Sequence, residues 1–268
     1  MRIAKYFLLL SCFAVPSFAQ EVPMEGEEVS QSETEFSVLT GVHYSSGDID
    51  GQDYETKAAS IGVAARNGRF SISASIPYVV TTAPEELIVS GGGLLGSSLF
   101  ASPTSQTTQV EREGIGDLAI QAGYLLPVDA VDAFISTAVK VPTASSRTGL
   151  GTGEFDFGVS GELSKRLGSV VPFISAGYTI IGEPEGFDVR NTLSGSAGSQ
   201  FLVGETSAIT LSYSYNQSAT DDIGDRQSVG IGFGTNLAPK LRLGVDGSAG
   251  LTEDAPDARV GLRLGIGF

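Results

Sequence analysis

The sequence of 268 residues lacks most of what enzymes and metalloproteins need, since it holds one Cys, one His and no Trp. A single Cys excludes an internal disulfide, and one His beside one Cys excludes nearly every Cys/His zinc site. A Ser–His–Asp triad would have to use His43, and the sequence contains no G-x-S-x-G motif. The sequence therefore predicts no catalytic site, no cofactor and no metal centre.

Positive charge and long apolar runs are also scarce. Lys and Arg number 16 against 31 Asp and Glu, which gives a formal net charge of −15. Nucleic-acid binding depends on clustered Lys and Arg, so this balance argues against a nucleic-acid partner. No stretch beyond the N-terminus approaches the ~18 consecutive apolar residues of a membrane helix. Glycine, by contrast, is abundant with 35 residues, nearly twice the usual share of about 7%, which is typical of a Gly-rich β protein.

The N-terminus has the three parts of an export signal. A basic start and an apolar stretch at residues 6–15 precede Ser17 and Ala19, which place small residues at the −3 and −1 positions of a cleavage site. The alternative is a lipoprotein signal with Cys12 acylated, but its apolar segment would be very short. We expect residues 1–19 to be a signal peptide and the mature protein to lack cysteine.

The rest of the chain divides into a tail and a single domain. Residues 20–34 are rich in Glu and poor in apolar side chains, which predicts a disordered acidic periplasmic tail. From residue 35 onward, apolar residues recur at every second position, the period of a β-strand with one apolar and one polar face. This pattern predicts strands at residues 35–45, 54–65, 69–79, 115–125, 133–141, 155–165, 170–181, 191–201, 207–216, 228–237, 241–251 and 259–268.

The lengths of the connections favour a membrane barrel over a soluble sandwich. Connections after even-numbered strands are short, whereas those after odd-numbered strands are longer, including residues 46–53 and the longest, residues 80–114. Short periplasmic turns alternating with longer external loops are typical of outer-membrane barrels, as is an even strand number. We therefore predict an all-β, twelve-stranded antiparallel transmembrane barrel over residues 35–268 in the bacterial outer membrane.

Aromatic residues near the strand ends predict two girdles at the membrane interfaces. With both termini periplasmic, one group falls near the outer ends of its strands: Tyr44, Tyr54, Tyr78, Phe155, Tyr178 and Tyr215. The second group falls near the inner ends: Phe36, Phe70, Tyr124, Phe201 and Phe268.

Four segments in the second half of the chain carry a family resemblance. They are residues 114–124 (GIGDLAIQAGY), 139–143 (VKVPT), 150–157 (LGTGEFDF) and 172–182 (PFISAGYTIIG). In their order and spacing they resemble the outer-membrane transporter-like family named for the meta-cleavage (MetA) pathway of phenol degradation. The resemblance implies a twelve-stranded barrel and a role in the uptake of hydrophobic or aromatic compounds, and it supplies no catalytic motif.

Strand alternation assigns a set of polar residues to the lumen, because a Lys or Arg on the lipid face near the midplane costs about 2–4 kcal/mol. These candidate selectivity residues are Asp117, Gln121, Lys140, Asp156, Glu162, Arg242, Asp246, Arg259 and Arg263. Mixed charges there set pore selectivity in one interpretation and form a salt-bridged polar core in the other. The three arginines lie on adjacent strands, opposite a more acidic wall.

The connection at residues 80–114 has an apolar, Gly-rich middle and charged ends. A connection of this length is uncommon unless it is functional or disordered. We predict that Leu94, Leu95, Leu99 and Phe100 enter the mouth of the barrel and form a constriction, the alternative being a mobile lid on lipopolysaccharide or between protomers.

Three smaller patterns remain. The segment at residues 48–53 resembles the start of a calcium loop but lacks a Glu at the twelfth position, so a specific site is not expected. Acidic clusters around Asp221, Asp225 and Asp254 predict a solvated rim that shares divalent cations with lipopolysaccharide. Phe268 ends the last strand with an aromatic residue, which predicts a signal for the outer-membrane assembly machinery.

Together these patterns predict a channel for passive uptake of a small-molecule solute, hydrophobic or aromatic in character. A lumen of twelve strands is much narrower than that of 16–18-stranded water-filled porins. The alternative is a non-conducting structural or surface-interaction barrel whose lumen is filled by its own charges. The expected partners are outer-membrane lipid and lipopolysaccharide, the assembly machinery and the solute.

Overall fold

A computed structural model describes residues 34–49, 52–85, 88–90, 98–100, 108–145, 149–184 and 188–268. Among these residues no helix is long and apolar enough to cross a membrane. The described chain consists of β-strands: β1 (Glu35–Ile49), β2 (Gln52–Asn67), β3 (Phe70–Pro84), β4 (Ile88–Ser90), β5 (Ser98–Phe100), β6 (Gln109–Ile115), β7 (Leu118–Leu126), β8 (Asp132–Val141), β9 (Asp156–Ser164), β10 (Val170–Ile180), β11 (Thr192–Val203), β12 (Ser207–Asn216), β13 (Arg226–Ala238), β14 (Leu241–Gly250) and β15 (Ala258–Gly267).

The main sheet closes on itself as an antiparallel barrel. Consecutive strands pair from β1 to β3 and from β7 to β15, β3 pairs with β7, and β4 and β5 form a separate two-stranded sheet. β1 pairs with β15 from Ser37↔Gly267 to Ser46↔Ala258, which closes the barrel. β6 and β7 both pair with β3 and are separated at Gly116 and Asp117. Together they form one interrupted strand of the barrel, and a barrel strand counted in this way is called a stave below. Counting them as one, the barrel has twelve staves, so the prediction of a twelve-stranded barrel is confirmed.

The predicted alternation is visible as two chemically different faces. On β15, Val260, Leu262 and Ile266 lie on the outer surface, while Gly261 and Gly265 face inward and are buried. Large exposed apolar side chains recur in this way on the other staves, which in water would be an aggregation hazard. In a bilayer the same surface is the lipid-facing band.

The two ends of the barrel differ in their connections. The end that carries both termini, called the terminal end below, has tight turns in which Gly68, Gly168 and Gly204 adopt φ of 58°, 67° and 66°. This left-handed conformation is easy only for glycine and suits hairpin turns. The opposite end, called the loop end, carries the longer connections, including residues 142–155 and 217–225.

Two strand predictions at the loop end are wrong. The connection expected at residues 46–53 is mostly ladder, since Asp48 pairs with Asp53 and Ile49 with Gln52. The stave expected to begin at residue 115 begins at Gln109, paired with Pro84. Both extensions are rich in polar residues and lack a regular alternation of apolar side chains, so the apolar period gives little sign of them.

Tyr54 is not part of a girdle. It shares the inward face of β2 with Thr56 and Ala58, and it is only 4% exposed. Its position near a strand end suggested an interface residue, but the strand parity turns its ring into the barrel. The other predicted girdle residues lie on the outer surface or are half-buried there.

Candidate functional site

The inner wall of the barrel is built largely from small side chains. Serines of adjacent strands hydrogen-bond across the ladder, with 2.7 Å between hydroxyl oxygens in each pair: Ser136 with Ser160, Ser175 with Ser196, and Ser214 with Ser228. Because short side chains project little into the barrel, these strands alone leave a lumen. Closure of that lumen has to come from longer side chains or from loops.

Three predicted lumen residues meet in a buried ion cluster beside the split stave. The Lys140 Nζ lies 2.8 Å from the Asp156 Oδ2 and 3.8 Å from the Asp117 Oδ2, and it donates to the Thr152 Oγ1 at 2.9 Å. All three charged residues are at most 3% exposed. A buried ammonium between two carboxylates is stable only while all partners remain.

The ion cluster also holds the loop at residues 142–155. The backbone N–H of Ala144 donates to the Asp117 Oδ1 at 3.0 Å, and that of Gly182 donates to the Asp156 Oδ1 at 3.1 Å. The carboxylates therefore bind backbone groups beyond the strands as well as the lysine. This arrangement fixes the loop to the wall.

Thr143 bridges β6 and β7 where the ladder is interrupted. Its hydroxyl donates to the carbonyl of Gly116 at 2.9 Å and accepts from the N–H of Leu118 at 2.8 Å. Of the described strands, only β3 pairs with β6, so the wall beside β6 is covered by the loop rather than by a strand. The motif at residues 139–143 thus supplies both the lysine of the ion cluster and the hydroxyl that joins the two half-strands.

Two loops turn inward at the loop end and place apolar side chains in the lumen. Leu150, 1% exposed, packs with Ala58, Val79 and Ala144. Its Cδ1 lies 3.2 Å from the point where a Cβ on Gly114 would sit, so this glycine makes room for it. The first loop therefore reaches across to the inner face of β2, β3 and β6.

The second inward loop is residues 217–225. Ile223, 2% exposed, packs with Ile49, Tyr54 and Ala83. Leu150 and Ile223 with these neighbours are called the apolar closure below. Neither residue was singled out from the sequence, where each is an isolated apolar residue in a Gly- and polar-rich loop.

The constriction predicted from residues 80–114 is not tested. Leu94 and Leu95 lie outside the described residues. Leu99 and Phe100 belong to β5, whose backbone pairs with β4. The apolar closure formed by the other two loops stands independently of that prediction.

The predicted basic residues lie on β14 and β15 and face the lumen. Arg242, Arg259 and Arg263 are half-buried, and the Arg263 guanidinium forms an ion pair with Asp246. Glycines make room for this pair, since a Cβ on Gly261 would lie 2.9 Å from the Asp246 Oδ2.

Two further arginines on the same side of the barrel were missed. Arg66 is the penultimate residue of β2 and lies opposite Glu35, and Arg226 begins β13 opposite Asn216. Both fall on the inward parity of their strands, which would have identified them had the strand ends been placed correctly. Together with Arg242, Arg259 and Arg263, they place five arginines on the inward faces of β2, β13, β14 and β15.

The remaining predicted residues lie apart from these clusters. Gln121 is half-buried on β7 opposite Ser73, and Glu162 is buried on β9 opposite Phe134. Phe268 lies at the terminal end, where its N–H donates to the carbonyl of Phe36 at 2.8 Å and its side chain is 68% exposed. It thus completes the seam between the first and last strands.

A cavity of about 560 Å³ opens at the terminal end. Its lining is mostly apolar and includes Leu39, Ala64 and Leu237, and its charged residues are Glu35, Arg66, Lys240 and Arg242. Such a volume is within the range of about 300–1,000 Å³ typical of small-molecule sites. Among the described residues, apolar side chains therefore lie in the lumen at the loop end, and a cavity remains at the terminal end.

The acidic residues of the loop-end rim are engaged in loop contacts. Asp221 forms an ion pair with Arg190. Asp225 accepts from the Tyr215 hydroxyl at 2.5 Å and from the N–H of Ser218 at 2.9 Å. The hydrogen bond from Tyr215 has the largest effect and that from Ser218 the next, and together they hold the pKa of Asp225 below its ordinary value of 3.8.

The rim shows no metal site in the part of the chain that the structure describes. No group of His, Cys, Asp and Glu among those residues has the arrangement to hold a metal ion. Asp254 accepts from the N–H of Gly224 at 2.5 Å and so joins two loops. Asp50 of the calcium-like segment lies outside the described residues.

These features define a transmembrane β-barrel of the bacterial outer membrane, with a lumen partly closed by its own loops. The chain belongs to the family described as "Putative MetA-pathway of phenol degradation", whose family model matches residues 28–267. The resemblance drawn from the four sequence segments is therefore confirmed. A comparison with curated protein sequences finds no match.

Two solved structures share the fold, and a third is less similar. The COG4313 outer membrane channel from Pseudomonas putida F1 is 12% identical with a TM-score of 0.64, covering 93% of this chain and 100% of that one. The translocator domain of the autotransporter NalP from Neisseria meningitidis is 12% identical with a TM-score of 0.50, covering 89% of both chains. The CymD monoaromatic hydrocarbon channel is 11% identical with a TM-score of 0.44, covering 89% of this chain and 88% of that one.

Proposed function

We propose that the protein is a non-enzymatic channel for the passive uptake of small hydrophobic or aromatic molecules. The observation that carries the proposal is the contrast along the lumen, where the apolar closure at the loop end leads toward the mostly apolar cavity at the terminal end. Apolar side chains in a narrow passage hinder hydrated solutes, which lose water contacts there, more than apolar ones. The family's link to phenol degradation agrees with an aromatic solute.

The orientation that this proposal needs has the loop end outside the cell. Cysteines in place of Asp222 at the loop end and Glu205 at the terminal end, both exposed, report it directly. We expect an impermeant thiol reagent to label the first variant and not the second on intact cells. Labelling of the second variant alone would show that the terminal end faces outward, which contradicts the proposed orientation.

Uptake is best measured across an intact outer membrane, because lipopolysaccharide slows apolar solutes that cross phospholipid unaided. The neutral dye N-phenyl-1-naphthylamine fluoresces on entering apolar surroundings and serves as the probe. We expect cells that express the protein to take up the dye several-fold faster than cells without it, while the rate of sucrose entry stays the same. Equal dye rates in both cells would contradict the proposal.

A non-conducting structural barrel is the second candidate. It is favoured by the apolar closure and by the buried ion cluster, whose side chains occupy part of the lumen. The two candidates separate in the dye experiment, because a purely structural barrel gives no uptake even when it is correctly inserted.

Lipid surrounds the barrel, and two further partners are proposed. Lipopolysaccharide contacts the loop-end rim, and the assembly machinery reads the last strand that ends at Phe268. Deletion of Phe268 should leave unfolded protein in the periplasm, whereas normal levels of heat-modifiable barrel would contradict the second partner.

A further inference from the structure

The two inward loops rest side by side on the same two strands. Leu150 lies in a cluster with one inward residue each of β2 and β3, and so does Ile223. Between the two clusters lie Thr56 of β2 and Thr81 of β3, whose hydroxyl oxygens are 2.8 Å apart. A solute that displaces one of the two apolar side chains still meets the other nearby. Passage through the loop end therefore involves both loops.

The second inward loop is held by a single arginine. The Arg190 Nε donates to the carbonyl of Ser218 at 3.0 Å, and its Nη2 donates to the carbonyl of Thr220 at 3.1 Å. Its Nη1 forms an ion pair with Asp221. The backbone N–H of Arg190 donates to the carbonyl of Ala219 at 2.8 Å. Arg190 thus contacts four consecutive residues of this loop.

The segments around Arg190 also pack against the second loop. Ile181, 7% exposed, packs with Ala219 of that loop, and Val189 packs against this pair. The N–H of Ile181 donates to the Asn191 Oδ1 at 3.2 Å, which joins the two segments. Residues 181, 182 and 189–191 are called the bridge below.

The other side of the bridge contacts the first inward loop. The N–H of Gly182 donates to the Asp156 Oδ1 at 3.1 Å. The Asp156 Oδ2 lies 2.8 Å from the Lys140 Nζ, which donates to the Thr152 Oγ1 at 2.9 Å. A Cβ on Gly182 would lie 2.6 Å from the carbonyl oxygen of Phe155, so the two backbones are in close contact. Movement of either segment therefore disturbs the other.

Energetic coupling between two sites is carried by chains of packed side chains and hydrogen bonds of this kind. We propose that the two inward loops open together as one gate, coupled through the bridge, and that Arg190 is the positioning residue of the second loop. This inference rests on the proposed channel function, because the gate controls passage at the loop end. When the second loop moves away from Arg190, the contact between Ile181 and Ala219 is lost and the bridge loosens at Asp156. Coupling is reciprocal, so release of the first loop loosens the second.

The test measures the opening of each loop separately, by the labelling rate of a buried cysteine in the purified barrel. Leu150→Cys reports on the first loop and Ile223→Cys on the second, at positions that are 1% and 2% exposed. The water-soluble reagent dithionitrobenzoate reaches a thiol at either position only when its loop opens, so the rate follows the open population. The native Cys12 lies in the predicted signal peptide.

Arg190→Gln is the variant that tests the coupling. It removes the side-chain contacts to residues 218, 220 and 221. We expect it to speed labelling of Ile223→Cys about tenfold, and to speed labelling of Leu150→Cys in the other loop about fivefold. Arg190→Lys keeps the charge and should reverse part of both effects. Arg166→Gln removes an exposed arginine at the terminal end and should change neither rate.

Ile181→Ala tests the bridge as the route of coupling. It removes most of the side chain that packs with Ala219. In this background Arg190→Gln should speed labelling of Leu150→Cys less than about twofold, while its effect on Ile223→Cys persists. Comparison of the four variants as a double-mutant cycle separates this loss of coupling from the direct effect of Ile181→Ala. Heat-modifiability on gels shows that each variant is folded.

The outcomes distinguish this inference from the function on which it rests. If Arg190→Gln speeds labelling of Ile223→Cys and leaves Leu150→Cys unchanged, the loops open independently and the inference is overturned. It is also overturned if Arg190→Gln changes neither rate, or if Ile181→Ala leaves the coupling intact. Uptake of the neutral naphthylamine dye by cells would in each of these cases leave the channel function standing. If the two rates rise together but cells take up no dye, the coupling stands and the proposed function fails.

Discussion

The same strands run through the loop end and the terminal end of the barrel, but the lumen is closed by loops at the first and contains a cavity at the second. At the loop end, two loops turn inward and bury Leu150 and Ile223 to 1% and 2% exposure. At the terminal end, the described turns stay short, with Gly68 and its counterparts in left-handed conformations, and a cavity of about 560 Å³ remains. The alternating strands are common to both ends, so the difference arises in the connections.

Different parts of the chain determine the diameter of this barrel and the closure of its lumen. Closed strand pairing satisfies the backbone in lipid and sets the diameter, whatever the loops do. Closure depends on single apolar side chains and on the buried ion cluster that holds one of their loops. Substitutions in the loops should therefore change permeation, while substitutions in the ion cluster should change both permeation and stability.

The largest expected effect is that of Lys140→Met. It leaves the carboxylates of Asp117 and Asp156 buried without their cation, which typically costs about 3–5 kcal/mol. We expect a lower urea midpoint for unfolding of the refolded barrel in lipid vesicles, together with faster dye uptake because residues 142–155 are released.

Two further variants serve as controls for Lys140→Met. Lys165→Met removes an exposed lysine beyond β9 and should leave the midpoint unchanged. The neutral triple variant Lys140→Met/Asp117→Asn/Asp156→Asn should recover much of the loss, since no charge remains buried. A single Lys140→Met variant as stable as the wild type would mean that the cluster contributes nothing to the fold.

The second effect concerns permeation. Leu150→Ser and Ile223→Ser remove apolar side chains from the loop-end closure while leaving the ladders intact. We expect several-fold faster entry of sucrose in the double variant, because the lumen can hydrate where the leucine and isoleucine were. Loss of each buried side chain lowers the free energy of unfolding by about 2–5 kcal/mol, so heat-modifiability on gels serves as the control that the barrel still folds. Unchanged sucrose entry would show that these residues do not form the barrier.

The smallest effect is expected at Asp225. The depressed pKa means that its contribution to loop docking is fully present above pH 3.8 and is lost only as the pH falls through the lower, folded value. Asp225→Asn should raise channel conductance about two- to threefold at neutral pH, in line with a modest hydrogen-bond contribution. The difference from the wild type should disappear in strong acid, and a difference that grows there would refute this role.

Much of the fold could be predicted because its main constraint is repetitive. Alternation along β15 and β3 identifies the lipid face, and glycine-containing turns mark the terminal end. The prediction failed where polar residues interrupt the apolar alternation, as in the extension around Asp48↔Asp53 and the half-strand β6. There the ladder continues without a regular apolar period, so hydrophobicity carries little information about it.

The alternation of residues along each strand predicts which side chains face the lumen, but it does not predict which of them meet. Parity placed Asp117, Lys140 and Asp156 on inward faces, but their meeting in one cluster depends on how far neighbouring strands are shifted along each other. Leu150 and Ile223 were missed because a loop's path depends on contacts distant in sequence, such as that between Leu150 and Val79. A lone apolar residue in a polar loop is the one local sign of such a contact.

The central claim is that solutes must pass the apolar closure at the loop end, and a reversible crosslink tests it most directly. Cysteines in place of Val79 and Leu150, whose side chains belong to one buried cluster, can form a disulfide that holds the loop shut. The only native Cys, Cys12, lies in the predicted signal peptide. We expect oxidised cells to take up N-phenyl-1-naphthylamine at the rate of cells without the barrel, and reduction to restore uptake. Undiminished uptake with the disulfide fully formed would contradict the account.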